Sequence, residues 1–125
     1  MRKRIFDAYT QAFSADNRFV MPVYETNDTR SSYHLYPLRI KGATETQRDA
    51  IISKIFEKQV SVNVHFIPVP MMSFYKKLGY NIANYPNTYA QYSTEISLPV
   101  YYDLGPDKVK TVTDAVIASV NEVIG

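Results

Sequence analysis

Near its C-terminal end the chain carries Val109, Val112, Val116, Ile117, Val120 and Ile124 at helical spacing, one apolar stripe along residues 106–124. Gly105-Pro106-Asp107 opens that helix, with proline at the first position, where its missing N–H costs nothing. A one-sided stripe of this length has to be buried against a second layer.

The rest of the chain supplies that layer. Ile5, Ala8, Tyr9, Ala12 and Phe13 recur at helical spacing and predict an amphipathic helix over 2–14, so residues 1–14 lead into a single domain of 1–125. "ETNDTRSS" reads as loop. "YHLYPLRI" (33–40) has strand composition, and Pro37 makes it an edge or bulged strand. Gly42 turns the chain into a helix capped by Thr44, with Gln47 completing a capping box and Ile51, Ile52, Ile55 and Phe56 forming the buried stripe.

The next segment alternates, with Val60, Val62, Val64 and Phe66 on one face and Ser61, Asn63 and His65 on the other. Met71, Met72, Tyr75 and Leu78 mark a short helix closed by Gly79, with Tyr80 folding back on Tyr75. A further short helix lies within 87–95, and "ISLPVYYDL" reads as the last strand. The order helix, strand, helix, strand, helices, strand, helix predicts an α/β fold, a small sheet of about three or four strands covered by helices.

Several functions lack their parts. The chain has no cysteine, which excludes disulfides and thiolate chemistry. Its four glycines lie far apart, so there is no phosphate-cradling loop. His34 and His65 lack metal-ligand spacing, and no nucleophile elbow is visible. The net charge of +2 comes from scattered basic residues, clustered only at Arg2-Lys3-Arg4 and Lys76-Lys77, so no nucleic-acid partner is expected. "MRKRIFDAYTQAF" begins like a signal peptide, but Asp7, Thr10 and Gln11 interrupt it, and no stretch approaches the roughly 18 apolar residues of a membrane span. The chain therefore reads as cytoplasmic, with no membrane partner and with Asn27-Asp28-Thr29 as a plain loop tripeptide. Eleven tyrosines and six phenylalanines are read mostly as packing.

His34 shares a strand face with Tyr36, Leu38 and Ile40 and reads as a hydrogen-bonded histidine at a core edge. His65 stands at a strand end on a polar face, where sites tend to lie, and Pro68 and Pro70 stiffen the loop after it. Its chemistry alone leaves ligand contact and simple solvent exposure both open.

"VNVHFIPVPMMSFYKKLGY" followed by "YPNTYAQYSTEISLPVYYDLGPDKVKTVTDAV" resembles the C-terminal part of the DegT/DnrJ-type sugar-nucleotide aminotransferases. The matching elements are His65-Phe66, Tyr75 to Tyr80, Ser97-Leu98-Pro99-Val100-Tyr101 and residues 106–124, with "SSYHLYPLRI" as the first small-domain strand and "RKRIFDAYTQAF" as the helix before it. The resemblance implies the small C-terminal domain of the aspartate aminotransferase fold of pyridoxal-phosphate-dependent transferases. It also implies that His65 lies near the nucleotide sugar, with Phe66 and Tyr75 as further substrate contacts. The sequence departs from the family at Phe66, Ile67, Met71 and Met72, making the loop more apolar.

In that family the cofactor's Schiff-base lysine belongs to the larger N-terminal domain, and none of the eight lysines here has the expected context. The resemblance therefore implies no catalytic residue, cofactor or metal in this chain, pyridoxal phosphate only in the full-length enzyme, and a nucleotide-sugar substrate only in that context. Met1 suits an excised domain or a truncated gene product equally. Apolar surface left open around Phe6 and Phe13 would favour homo-oligomers. A stand-alone α/β module binding a small ligand or regulating a partner is the alternative.

Overall fold

The computed structural model describes residues 1–125 and contains five α-helices and one three-stranded sheet. Helix α5 (Pro106–Ile124) forms as its stripe requires, burying Val109, Val112, Val116 and Val120. The two buried hydroxyls on that side are satisfied within the helix, Thr113 by Lys110 O and Ser119 by Ala115 O. α5 packs on α2 (Glu45–Glu57) and α1 (Arg2–Phe13). The capping box of α2 is present, with Thr44 Oγ1 accepting from Gln47 N and Gln47 Oε1 from Thr44 N.

Strands β1 (Phe19–Val20), β2 (Tyr36–Ile40) and β3 (Glu95–Leu98) pair antiparallel in that order. Register sets Tyr36 opposite Leu98 and Leu38 opposite Ile96, and these side chains with Ile40 fill the core beneath the helices. Alternation sends Pro37, Arg39, Glu95 and Ser97 to the other face. α3 (Ser73–Lys77) and α4 (Pro86–Thr94) lie beyond the core. Gly79 (φ +92°) ends α3 as a left-handed C′ residue, with Tyr80 N–H bonded to Tyr75 O at 3.1 Å and the two rings 6.0 Å apart. No helix is long and apolar enough to cross a membrane.

Several expectations fail, each for a physical reason. Segment 60–66 is not a strand: only Asn63 pairs, with Ser97. Side chains take the hydrogen bonds a ladder would use, Asn63 Oδ1 accepting from Val64 N and Glu95 Oε2 from His65 N. The strand expected over 33–40 is the central strand, not an edge, Pro37 being tolerated because β1 pairs only with Arg39 and Ile40. It begins only at Tyr36, because Tyr33 sits at φ +54° with its N–H held by Ser31 Oγ. His34 is therefore outside the strand, exposed and without a hydrogen bond, not a core-edge histidine.

The last strand starts at Glu95 and stops at Leu98, before Pro99, which has no N–H to donate. Phe56 is exposed, because the buried line of α2 runs through Arg48, Ile51 and Ile55. Phe6 and Phe13 are fully buried. Residues 15–33, legible in sequence only as polar loop, fold back over α1. Tyr24, Tyr33 and Tyr36 meet Phe6 edge-on at 5.0–5.4 Å, and Phe19 covers Phe13 at 4.8 Å.

Candidate functional site

The sheet face turned away from α1, α2 and α5 floors a cavity of about 590 Å³. Arg39 and Glu95, register partners on β2 and β3, form part of that floor. Met21-Pro22-Val23 make one wall, His65, Phe66 and Pro68 a second, and Tyr92 of α4 part of a third. The Arg39 side chain makes no hydrogen bond or ion pair within the chain, so its five donors remain available.

Glu95 and Ser97 are buried although they point away from the core, because residues 62–66 lie across them. Their polar atoms are satisfied by that segment. Glu95 Oε2 accepts from His65 N at 3.0 Å, His65 Nδ1 lies 2.9 Å from Ser97 Oγ, and the Ser97 hydroxyl donates a short bond to Glu95 Oε1. Burial pushes the Glu95 carboxyl above the usual carboxylate range, against the opposing pull of Ser97, the His65 amide, the His65 ring and Arg48.

Arg48 sets the corner at which α4 passes into β3. Its buried guanidinium donates to the carbonyls of Tyr92 (2.5 Å) and Glu95 (3.0 Å) and to Asp49 Oδ1 (2.7 Å), and lies 4.8 Å over the Tyr92 ring. Cation at a helix C-terminus and fork on carbonyls are both favourable there. Glu45 ties the same helix down through the hydroxyls of Tyr89 and Tyr92.

Of the residues expected at a site, His65 and Phe66 line this cavity, whereas Tyr75 lines a separate apolar depression with Tyr80 and Tyr85. Sequence reasoning missed Arg39, Glu95 and Ser97. Their only signal was the polar–apolar alternation in "LRI" and "EISL", which sets these side chains on the sheet face opposite the core but carries no sign that this face is covered. No cluster of three His, Cys, Asp or Glu side chains capable of holding a metal is present.

Residues 1–117 match the family described as DegT/DnrJ/EryC1/StrS aminotransferases. The chain belongs to that family. The spore coat polysaccharide biosynthesis protein SpsC of Bacillus subtilis is 34% identical over 118 residues, 92% of this chain but 30% of that protein. A UDP-4-amino-4,6-dideoxy-N-acetyl-beta-L-altrosamine transaminase of Helicobacter pylori is 26% identical, over 82% of this chain and 27% of its own length. Among solved structures, a proposed sugar aminotransferase of Streptococcus pneumoniae in its PMP form superposes with a TM-score of 0.93 at 33% identity, covering 98% of this chain and 31% of that one.

The chain thus spans about a third of the length of these relatives. DegT/DnrJ/EryC1/StrS aminotransferases are pyridoxal-phosphate-dependent. The donor set of the cavity does not fit that cofactor, because no lysine lines it to form the anchoring imine.

Proposed function

We propose that this chain acts as the small domain of a sugar-nucleotide aminotransferase, closing over the substrate cleft and transferring no amino group by itself. The observation that carries the reading is the open sheet face. A single cavity holds an unpaired arginine, a histidine anchored by buried polar groups and an exposed phenylalanine, yet contains no lysine. Those groups can orient a polar, partly apolar ligand but cannot anchor the cofactor. In this reading His65 and Phe66 contact a nucleotide sugar with a keto group in the ring, and Tyr75 acts from the neighbouring depression. Self-association belongs to the same reading. It rests on the exposed apolar run Phe66, Ile67, Val69, Phe74 and Leu78, not on Phe6 and Phe13.

Borohydride trapping tests the silence of the isolated chain. Purified protein is mixed with pyridoxal phosphate, reduced, digested and mapped by peptide mass. Scattered, substoichiometric labelling of the eight lysines is expected. Stoichiometric label on one lysine would mean a working cofactor site and would overturn the reading.

A further inference from the structure

The hydrogen bonds joining His65, Ser97 and Glu95 have a direction. An ionised carboxylate can only accept, so the Ser97 hydroxyl spends its one proton on Glu95 Oε1. Toward His65 the Ser97 oxygen is then left as an acceptor. The proton of the Nδ1···Oγ bond, 2.9 Å long, must therefore come from the ring. The other carboxylate oxygen is already fixed by the His65 backbone N–H at 3.0 Å, which can only donate. Every atom in the loop has one consistent role.

We infer that Glu95, acting through Ser97, is a positioning residue that holds the neutral His65 ring with its proton on Nδ1, leaving Nε2 as a bare acceptor. Nε2 makes no hydrogen bond within the chain, and the ring lines the cavity. The ligand group that meets it is consequently a donor, a hydroxyl or an N–H, and not an ionised phosphate oxygen. An anionic portion of the same ligand has the unpaired Arg39 guanidinium instead. This specificity rests on the cavity being the substrate site proposed above; the placement of the proton does not.

The assignment requires Glu95 to be ionised when the ring is neutral. Burial opposes the charged form, while the groups acting on the carboxyl, the Ser97 hydroxyl, the His65 N–H, the His65 ring and Arg48, all favour it. The hydrogen-bond directions therefore hold above the pH at which the raised Glu95 carboxyl ionises.

Long-range ¹H–¹⁵N correlation spectra of the free chain, at a pH where both histidines are neutral, read the proton directly. His34, exposed and without hydrogen bonds, supplies the unconstrained reference in the same spectrum. The expected pattern for His65 is a protonated Nδ1 and an unprotonated Nε2. In Glu95→Gln the amide oxygen keeps the His65 N–H and the amide NH₂ donates to Ser97, so the Ser97 hydroxyl turns toward Nδ1. The ring proton should then move to Nε2, exchanging the two ¹⁵N shifts. Ser97→Ala cuts the link, and the His65 shifts should converge on those of His34.

A wild-type ring protonated on Nε2 overturns the inference outright, whatever the variants do. So does a Glu95→Gln ring that keeps its proton on Nδ1, or a Ser97→Ala spectrum identical to wild type. None of these outcomes bears on cofactor trapping, so the small-domain reading and the positioning role fail separately.

Discussion

Tyr36, Leu38, Ile40, Ile96 and Leu98 share one side of the sheet, and the same two strands put Pro37, Arg39, Glu95 and Ser97 on the other. The first set is buried by helices whose apolar stripes match it, and any residue of similar size and polarity would serve. The second set contains a carboxyl and a hydroxyl that are just as hidden from water, under a segment that pairs with the sheet at one residue only. Burial there depends on named partners instead of area. No buried side-chain nitrogen or oxygen in the chain is left without a partner. A fold that needed only stability would place apolar groups at 95 and 97, since an isolated buried carboxylate is costly. The polar face is where local rules are broken, and such places are where function is expected.

The largest effect should come from the residue that joins the two faces. Arg48 is 1% exposed, and removing it strands the carbonyls of Tyr92 and Glu95 and unpicks the corner that places Glu95. Arg48→Ala is expected to cost about 3–5 kcal/mol in denaturant unfolding, from two buried carbonyls left unpaired at about 1–3 kcal/mol each together with the lost packing of the side chain. Arg48→Lys should recover little, because an ammonium cannot reproduce the fork across two carbonyls and Asp49. A loss below about 1 kcal/mol for alanine would show that the corner is held by packing alone.

A smaller effect separates the polar face from the apolar one by pH. The Glu95 carboxyl is raised from its ordinary value of 4.5, with burial as the leading cause. The folded state therefore binds this proton more tightly than the unfolded chain. Stability from Glu95 is fully present below the unfolded value and is lost as pH rises through the folded one. Asp7, Asp16 and Glu122 are held low by Tyr24, Arg18 and Lys58 respectively and contribute with the opposite sign. The difference between wild type and Glu95→Gln cancels those terms. That difference should move in favour of the glutamine variant as pH climbs from about 4.5 upward, read by urea unfolding at several pH values. A pH-independent difference would mean that Glu95 titrates as it does in the unfolded chain.

The same contrast explains what was legible in the sequence. Periodicity found α1, α2 and α5 and the core strand residues, because apolar stripes are written locally. Turn chemistry found the Thr44 cap and the Gly79 stop for the same reason. His65 and Phe66 were reached through a family pattern, and the cavity does bring those two together. Arg39, Glu95 and Ser97 were not reached. Their burial comes from a segment some thirty residues away, bound through side-chain oxygens and not through a ladder, and no local pattern encodes it. The segment itself was misread as a strand, since its valines alternate while its hydrogen bonds go elsewhere. Phe6 was misjudged as open surface because the tyrosines that cover it, Tyr24 and Tyr33, lie in a stretch without periodicity.

The smallest stability effect is expected at Phe66, and its smallness is informative. This ring is 71% exposed, contacts the His65 ring edge-on at 5.8 Å, and buries little that alanine would uncover. Phe66→Ala should therefore change the unfolding free energy by no more than about 0.5 kcal/mol, the usual range for surface positions. An exposed aromatic that does nothing for the fold is free for a contact outside it. If that is self-contact through the 66–78 run, sedimentation of a concentration series should show weaker association for Phe66→Ala than for wild type at unchanged stability. A wild-type chain that stays monomeric throughout the series removes self-association from the reading. A stability loss of several kcal/mol would place Phe66 with the helix-covered core instead, and the division between the two faces of the sheet would no longer hold at the cavity wall.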